Sequence, residues 1–569
     1  MKEKIFKYLK IGSIILSLFN ILMFFSMRCI WSGISKTLGY EKSESIFLLN
    51  LPVFICFILL FVFILNACLY FLIDKKKNLW SIIFSIIDVI FLIAIFVIIQ
   101  LGGKDYMYFI WPKFFEATLI VLCALILIFF IFVYPKCRLK ESKIFKLITL
   151  TCIIISTFAY LVNFSITYIQ YKPVVYAVED TYQIVFSATS ESLGWVKIND
   201  TYYYDQNAGS MNSFDKVHKV IVPMEKLDEA KSYTIGIQKM IYRGPFGGIK
   251  GNIIEEKYNF RPVDSSDGLN YYSLSDIHMG SKAVLKAANY NQEKEFLVIA
   301  GDSISLVDSY SDAQYINKIA HQITKGEIAV IHARGNHELK GKYAEQLYKY
   351  VGSKNNQYYF NFYLDGVYGI VLDIGEDHED DYWEYYGTAN YNAYREEQLR
   401  FLKDELDKKE YEKYDYRLAI CHIPVVFVNS RKNHEYYKKE MTNLLNQMDI
   451  DMCLSGHQHD LLVFEPNTLT PYSKLKYNEA YDSGTYKGYV TDFNFPNLLI
   501  SKRGHTQIDS NALTLKSHIG LTINVDFASQ IQKAIYNTSN NEKVHMVNPF
   551  VDKDYQDEIE ISLIDKSFK

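Results

Sequence analysis

Phe296-Leu297-Val298-Ile299-Ala300-Gly301-Asp302 is the stretch from which the chain is read. Five apolar residues in a row, without the alternation of a half-exposed strand, mark a strand buried on both faces. Such strands belong to parallel sheets covered by helices. The run ends at a glycine followed by a carboxylate. Ligands of open α/β sheets gather beyond the carboxyl ends of the strands, so Asp302 stands where chemistry is expected.

The same grammar recurs on either side. Asp276-Ile277-His278 follows Tyr271-Tyr272-Ser273-Leu274, and Gly335-Asn336-His337-Glu338 follows Ile328-Ala329-Val330-Ile331. Cys421-His422-Ile423-Pro424 follows Leu418-Ala419-Ile420, and Gly456-His457-Gln458-His459 follows Ile450-Asp451-Met452-Cys453-Leu454. Amphipathic segments lie between them, such as 394–406, where Leu399, Leu402 and Leu406 recur at helical spacing. An Asp-x-His or a Gly-Asp alone arises by chance in any long chain. Five such motifs in order, each closing a strand, do not.

Imidazole and carboxylate suit Mn, Fe or Zn, and one carboxylate can join two ions about 3.5–4 Å apart. Asp276, His278 and His459 are expected on one ion and Asn336, His422 and His457 on the other, with Asp302 between them. Glycine before Asp302, Asn336 and His457 lets the backbone turn at the strand end. His457 and His459 point the same way if that segment is extended.

The ordered set resembles the calcineurin-like metallophosphoesterase superfamily over roughly residues 268–550. Gly375-Glu376-Asp377, the stretch from Tyr386-Gly387 to Gln398 and the strand-rich segment before residue 266 are similar to its purple acid phosphatase branch. The resemblance implies a four-layer αββα sandwich, a dinuclear Mn, Fe or Zn centre on the seven residues named, and hydrolysis of a phosphate ester by a metal-activated hydroxide. It also implies that His337 faces the leaving oxygen as an acid. Ser305 stands where the purple enzymes carry a tyrosine, and His278 where they lack a histidine, so a colourless centre is expected. Arg334 is a candidate for a forked contact to phosphate. Glu338 is expected to orient an imidazole from behind, the acidic run 376–381 to be a solvated loop, and Cys421 to pack in the core.

Outward from this region the composition changes. The chain has 569 residues, 49% hydrophobic, and the apolar ones concentrate before about residue 170. Five runs there, 11–27, 46–73, 80–101, 115–134 and 147–168, reach the roughly 20 residues that cross a bilayer as helix. Lys2, Lys4, Lys7, Lys10, Lys75, Lys76, Lys77, Lys136, Arg138, Lys140, Lys143 and Lys146 flank one side. Only Arg28, Lys36, Lys42, Lys104 and Lys113 flank the other, which places the N-terminus in the cytoplasm and everything after residue 168 outside. Past a linker containing Pro173, residues 174–265 show short alternating strands, expected to form a small fibronectin type III-like β-sandwich.

The expected fold is therefore multi-domain: an all-α transmembrane region over 1–170, the sandwich over 174–265, the α/β phosphoesterase domain over 266–550 and a tail over 551–569. A net charge of -4 offers no basic face for nucleic acid. Of eight cysteines only Cys421 and Cys453 lie in the polar part, too few for a disulfide framework. The expected function is a membrane-anchored phosphoesterase at the extracytoplasmic face of the cell membrane, with a phosphate ester and the lipid bilayer as partners. The alternative is a non-catalytic cell-envelope receptor on the same fold, which would be expected to have lost some of the seven ligands; none is missing.

Overall fold

The computed structural model describes residues 167–566, apart from 206–208, 244–247, 430–433, 479–484, 501–517, 549 and 552. The expected spans up to residue 166 lie outside the described residues. Among the described residues no helix is long and apolar enough to cross a membrane.

Six strands and a short helix come first: β1 (Ile169–Val178), β2 (Thr181–Ile198), β3 (Thr201–Tyr204), β4 (Phe214–Pro223), α1 (Met224–Ala230), β5 (Ser232–Arg243) and β6 (Gly248–Asn259). Alternating strands and helices follow: β7 (Leu269–Leu274), α2 (Ser281–Ala288), β8 (Phe296–Ala300), α3 (Tyr310–Thr324) and β9 (Ala329–Ala333). Next come β10 (Phe360–Leu364), β11 (Val367–Leu372), α4 (Tyr391–Lys408), β12 (Tyr416–Cys421), β13 (Phe427–Asn429), α5 (Glu435–Asn446) and β14 (Met452–Ser455). The remaining strands are β15 (Val463–Phe464), β16 (Leu475–Asn478), β17 (Thr485–Val490), β18 (Asn497–Leu499), β19 (Ile519–Asp526), β20 (Ile531–Thr538), β21 (Met546–Asn548), β22 (Lys553–Gln556) and β23 (Ile559–Ser562).

Two sheets stack face to face. One runs β23-β20-β19-β7-β8-β9-β1-β2-β5-β6, and the other β10-β11-β12-β14-β18-β15. Phe296, Val298 and Ala300 of β8 pack between the sheets with Leu418, Ile420 and Leu454 of the second sheet. Leu297 and Ile299 point the other way, onto Val284 of α2 and Ile316 and Ile319 of α3. That two-sided burial explains the unbroken apolar run; each such side chain contributes roughly 1.5–3 kcal/mol. On the far face of the second sheet, Leu399 and Leu402 of α4 and Met441 and Leu445 of α5 cover Ile370, Ala419 and Cys453. The layers are α/β/β/α.

The expected fold class is corrected at its N-terminal side. The strands read as a separate sandwich continue the sheet that holds β7, β8 and β9: β1 pairs in parallel with β9, Val175 against Ala329 and Tyr176 against Val330. Pro173 is no linker residue. It lies within β1, where the register with β2 shifts between Tyr171 and Val174, a place where the missing N–H breaks no ladder bond. β2 is long enough to serve twice, pairing β4 up to Ser187 and again from Ser192. The sealed Ser192 hydroxyl, His218 ring and Asp205 carboxylate form a chain of hydrogen bonds at 3.0 and 3.3 Å that ties these strands together. Cys421 and Cys453 are free and buried.

Candidate metal centre

β7, β8 and β9 of one sheet and β12 and β14 of the other run parallel within their sheets, and each expected motif sits just past the carboxyl end of its strand. Stacking the sheets therefore brings loops nearly two hundred residues apart to one edge. Five of the seven candidate ligands hold left-handed backbone: Asp276 (φ 52°), His278 (43°), Asp302 (54°), His457 (71°) and His459 (51°). Such residues are disfavoured by about 1–2 kcal/mol each, and their gathering at one edge is typical of strain kept for function.

Asp276, His278, Asp302 and His459 each offer one ligand atom, and these lie within 4.8 Å of one another. The Nε2 atoms of His278 and His459 are 3.1 Å apart. His459 Nε2 lies 3.3 Å from Asp276 Oδ1, a buried oxygen that accepts no hydrogen bond. A second group surrounds Asn336 Oδ1, which is 3.2 Å from both His422 Nε2 and His457 Nδ1. Asp302 Oδ2 stands between the groups, 3.2 Å from His422 Nε2 and 3.7 Å from His278 Nε2. An orphaned carboxylate oxygen among converging oxygen and imidazole donors fits divalent or trivalent cations.

The electrostatics divide the group into a neutral ring at His278 and a protonated one at His422, whose Nε2 proton a cation would have to displace. Burial works to raise the Asp276 carboxyl, yet the neighbouring imidazoles of His459 and His422 hold it at about 2. Burial drives His278 down to about 3, leaving its ring neutral and able to ligate. His422 is pushed the other way, up to about 10, because the charge of Asp302 overrides burial. A carbonyl can only accept, so the 2.8 Å contact of His422 Nδ1 with Ala300 O fixes the proton on Nδ1 and turns Nε2 toward Asp302.

His337 lies at the rim, its ring edge-on to His278 at 4.7 Å between centroids and its side chain 34% exposed. Its Nδ1 donates to Ser305 O at 2.8 Å, so Nε2, 3.9 Å from Asp302 Oδ2, is the atom left to act. Arg334 does not reach this edge with a free fork. Its Nε and Nη2 both donate to Asp373 Oδ2, at 2.7 and 2.6 Å, and its plane lies 3.9 Å over the Tyr358 ring. The expectation of a phosphate contact is corrected to a buried ion pair. Glu338 orients no imidazole either; it accepts the backbone N–H groups of Asp302, Ser303 and Gly335 at 2.8, 2.6 and 2.7 Å.

Gly301 needs its freedom for a left-handed turn (φ +87°), whereas at Gly335 the constraint is space: a Cβ would come 2.1 Å from Asp302 Oδ1. His457 and His459 face separate groups through left-handed backbone, where an extended segment was expected. The acidic run is no solvated loop at its start. Glu376 is buried and accepts both contacts of Asn336 Nδ2, at 3.2 and 3.1 Å, and Asp377 Oδ2 takes His457 Nε2 at 3.0 Å. This sixth strand-end loop, after β11, was detectable by the rule that found the other five. His332 and His518 are buried, and His505 lies outside the described residues.

With this geometry in place, the comparisons with known proteins bear on it. Residues 270–461 match the calcineurin-like phosphoesterase family. The phosphoesterase-like segment opens within β7 and closes two residues after His459, and so contains all seven candidate ligands. No curated protein matches the chain. Solved structures also align with it, two of them as follows. One is a purple acid phosphatase from yellow lupin (Lupinus luteus) seeds, 12% identical with a TM-score of 0.43, covering 69% of this chain and 75% of that one. The other is GAP50, the anchor in the inner membrane complex of Plasmodium, 14% identical with a TM-score of 0.34, covering 53% of this chain and 91% of that one.

Proposed function

We propose that the chain is a dinuclear-metal phosphoesterase. The observation that carries the reading is the placement of Asp302 Oδ2 between two donor groups, with His278 Nε2 on one side and His422 Nε2 on the other. Asp276, His278 and His459 would hold one cation, Asn336, His422 and His457 the other, and Asp302 both. The chemistry such a pair supplies is Lewis acidity, which activates water at neutral pH and offsets charge on phosphoryl oxygens.

The chain's own residues do the rest. The carboxylate of Asp302 is aimed by three amides clasped to Glu338 and by the His337 N–H, which donates to its Oδ1 at 3.0 Å. His337 keeps its Nδ1 proton on Ser305 O, so it can donate to a leaving oxygen only through Nε2 and only as the imidazolium. The proposed place of action is the extracytoplasmic face of the cell membrane, supported by the apolar runs before residue 170 and their lopsided Lys and Arg.

The test is a panel of phosphate mono- and diesters offered to the full-length protein after loading with Mn, Fe or Zn. Metal-dependent turnover of a member of the panel is expected. Two bound ions per chain with no turnover of any ester would leave the receptor reading in its place.

A further inference from the structure

Asn336 and His457 each have two faces with which they could meet a cation, and only one is useful. The amide of Asn336 can present oxygen or NH2, and the ring of His457 can present a lone pair or an N–H. What stands behind them decides. Glu376 and Asp377, adjacent in the loop after β11, are acceptor-only groups when ionised. Asn336 Nδ2 points at both oxygens of Glu376, which leaves Oδ1 facing His422 and His457. His457 Nε2 donates to Asp377, which leaves the Nδ1 lone pair facing the same place.

The two carboxylates are themselves firmly held. Glu376 is 3% exposed and takes the Tyr385 hydroxyl at 2.6 Å, with Lys340 Nζ at 3.4 Å. Asp377 Oδ1 lies 3.2 Å from Nζ of Lys438 on α5, a lysine that is 1% exposed. Arg395 of α4, fully buried, donates to the carbonyls of Ile374 and Glu376 on either side of Gly375. A loop clamped from two helices has little freedom to let either ligand turn.

We propose that Glu376 and Asp377 are positioning residues that fix the ligating atoms of Asn336 and His457 and so set the affinity of the second cation without touching it. The assignment rests on the dinuclear reading above. Asn336 and His457, the two side chains that Glu376 and Asp377 hold, belong to the same donor group, so the effect is expected on one ion of the two.

The test is Mn2+ binding to the full-length protein by equilibrium dialysis, with ions counted per chain, beside the thermal midpoint of the metal-free protein. Glu376→Gln is nearly isosteric and gives the Asn336 amide a partner for either orientation. The double variant Asp377→Asn with Lys438→Met does the same for His457 without leaving a buried lysine unpaired. Wild type should bind two ions. Each variant should keep one at unchanged affinity and bind the other roughly 10–100-fold more weakly, with the metal-free midpoint unchanged. Two ions bound as in wild type would overturn the assignment. Equal weakening of both ions together with a lowered midpoint would overturn it too, by giving the pair a merely structural role. Fewer than two ions in wild type would overturn the dinuclear reading and this assignment with it.

Discussion

Arg334→Met separates two roles that the sequence leaves open for one arginine. If the guanidinium met substrate, its loss would raise KM and leave stability alone. The structure spends the Nε–Nη2 edge of the guanidinium elsewhere, on Asp373 Oδ2 at 2.7 and 2.6 Å, and stacks the plane on Tyr358. The side chain of Asp373 is 1% exposed, so removing the arginine strands a carboxylate where water cannot reach it. Breaking one partner of a buried pair typically destabilises by about 3–5 kcal/mol. Asp373 Oδ1 also accepts the Gly375 N–H at 3.0 Å, which offsets only a little of that charge. The double variant Arg334→Met with Asp373→Asn removes the stranded charge and should recover roughly 1–3 kcal/mol, as expected for residues in direct contact. The assay is urea unfolding of the metal-free protein, reading the midpoint at unchanged slope, beside KM for whichever ester is turned over. A loss under about 1 kcal/mol with a large rise in KM would refute the ion-pair reasoning and return Arg334 to the substrate.

Other outcomes follow from the same contacts. His337→Ala should lower turnover by roughly 10²–10⁴-fold with both ions retained, whereas Asp302→Ala should lower turnover and bound metal together; metal analysis of the two proteins showing equal loss would contradict the division of roles. Gly335→Ala places a Cβ 2.1 Å from Asp302 Oδ1 and 2.3 Å from its backbone N, so it should destabilise by about 1–3 kcal/mol and weaken metal binding; a variant that melts and loads like wild type would show that the neighbours can yield. His434 is buried and held down to about 4, first by burial and then by the charges of Arg395 and Lys438. Its folded pKa lies below the ordinary 6.5, so the folded state favours the neutral ring. The resulting stability is complete above about pH 6.5 and is lost as pH falls toward 4. Urea midpoints at pH 7 and 5 should differ less in His434→Gln than in wild type, and equal differences would remove His434 as the cause.

The sequence by itself determined what depends on local pattern. The run Phe296 to Ala300 has no polar member because both faces of β8 are covered. The spacing of Leu399 and Leu402 fits α4 because a helix repeats its buried face every three to four residues. The strand-end rule singled out seven side chains because parallel strands deliver their carboxyl ends to one edge. Burial periodicity records which face of an element is covered and is silent about which element covers it. That is why Val175 and Ala329, more than one hundred and fifty residues apart, became neighbours only in the tertiary structure, turning an expected separate sandwich into an extension of the same sheet. It is also why the sequence offers Arg334 as a candidate for phosphate with no sign of Asp373 beside it, and why Glu376 and Asp377 read as part of a solvated run. An ionic partner is chosen by proximity across the fold, and proximity of that kind exists only once the sheets have stacked.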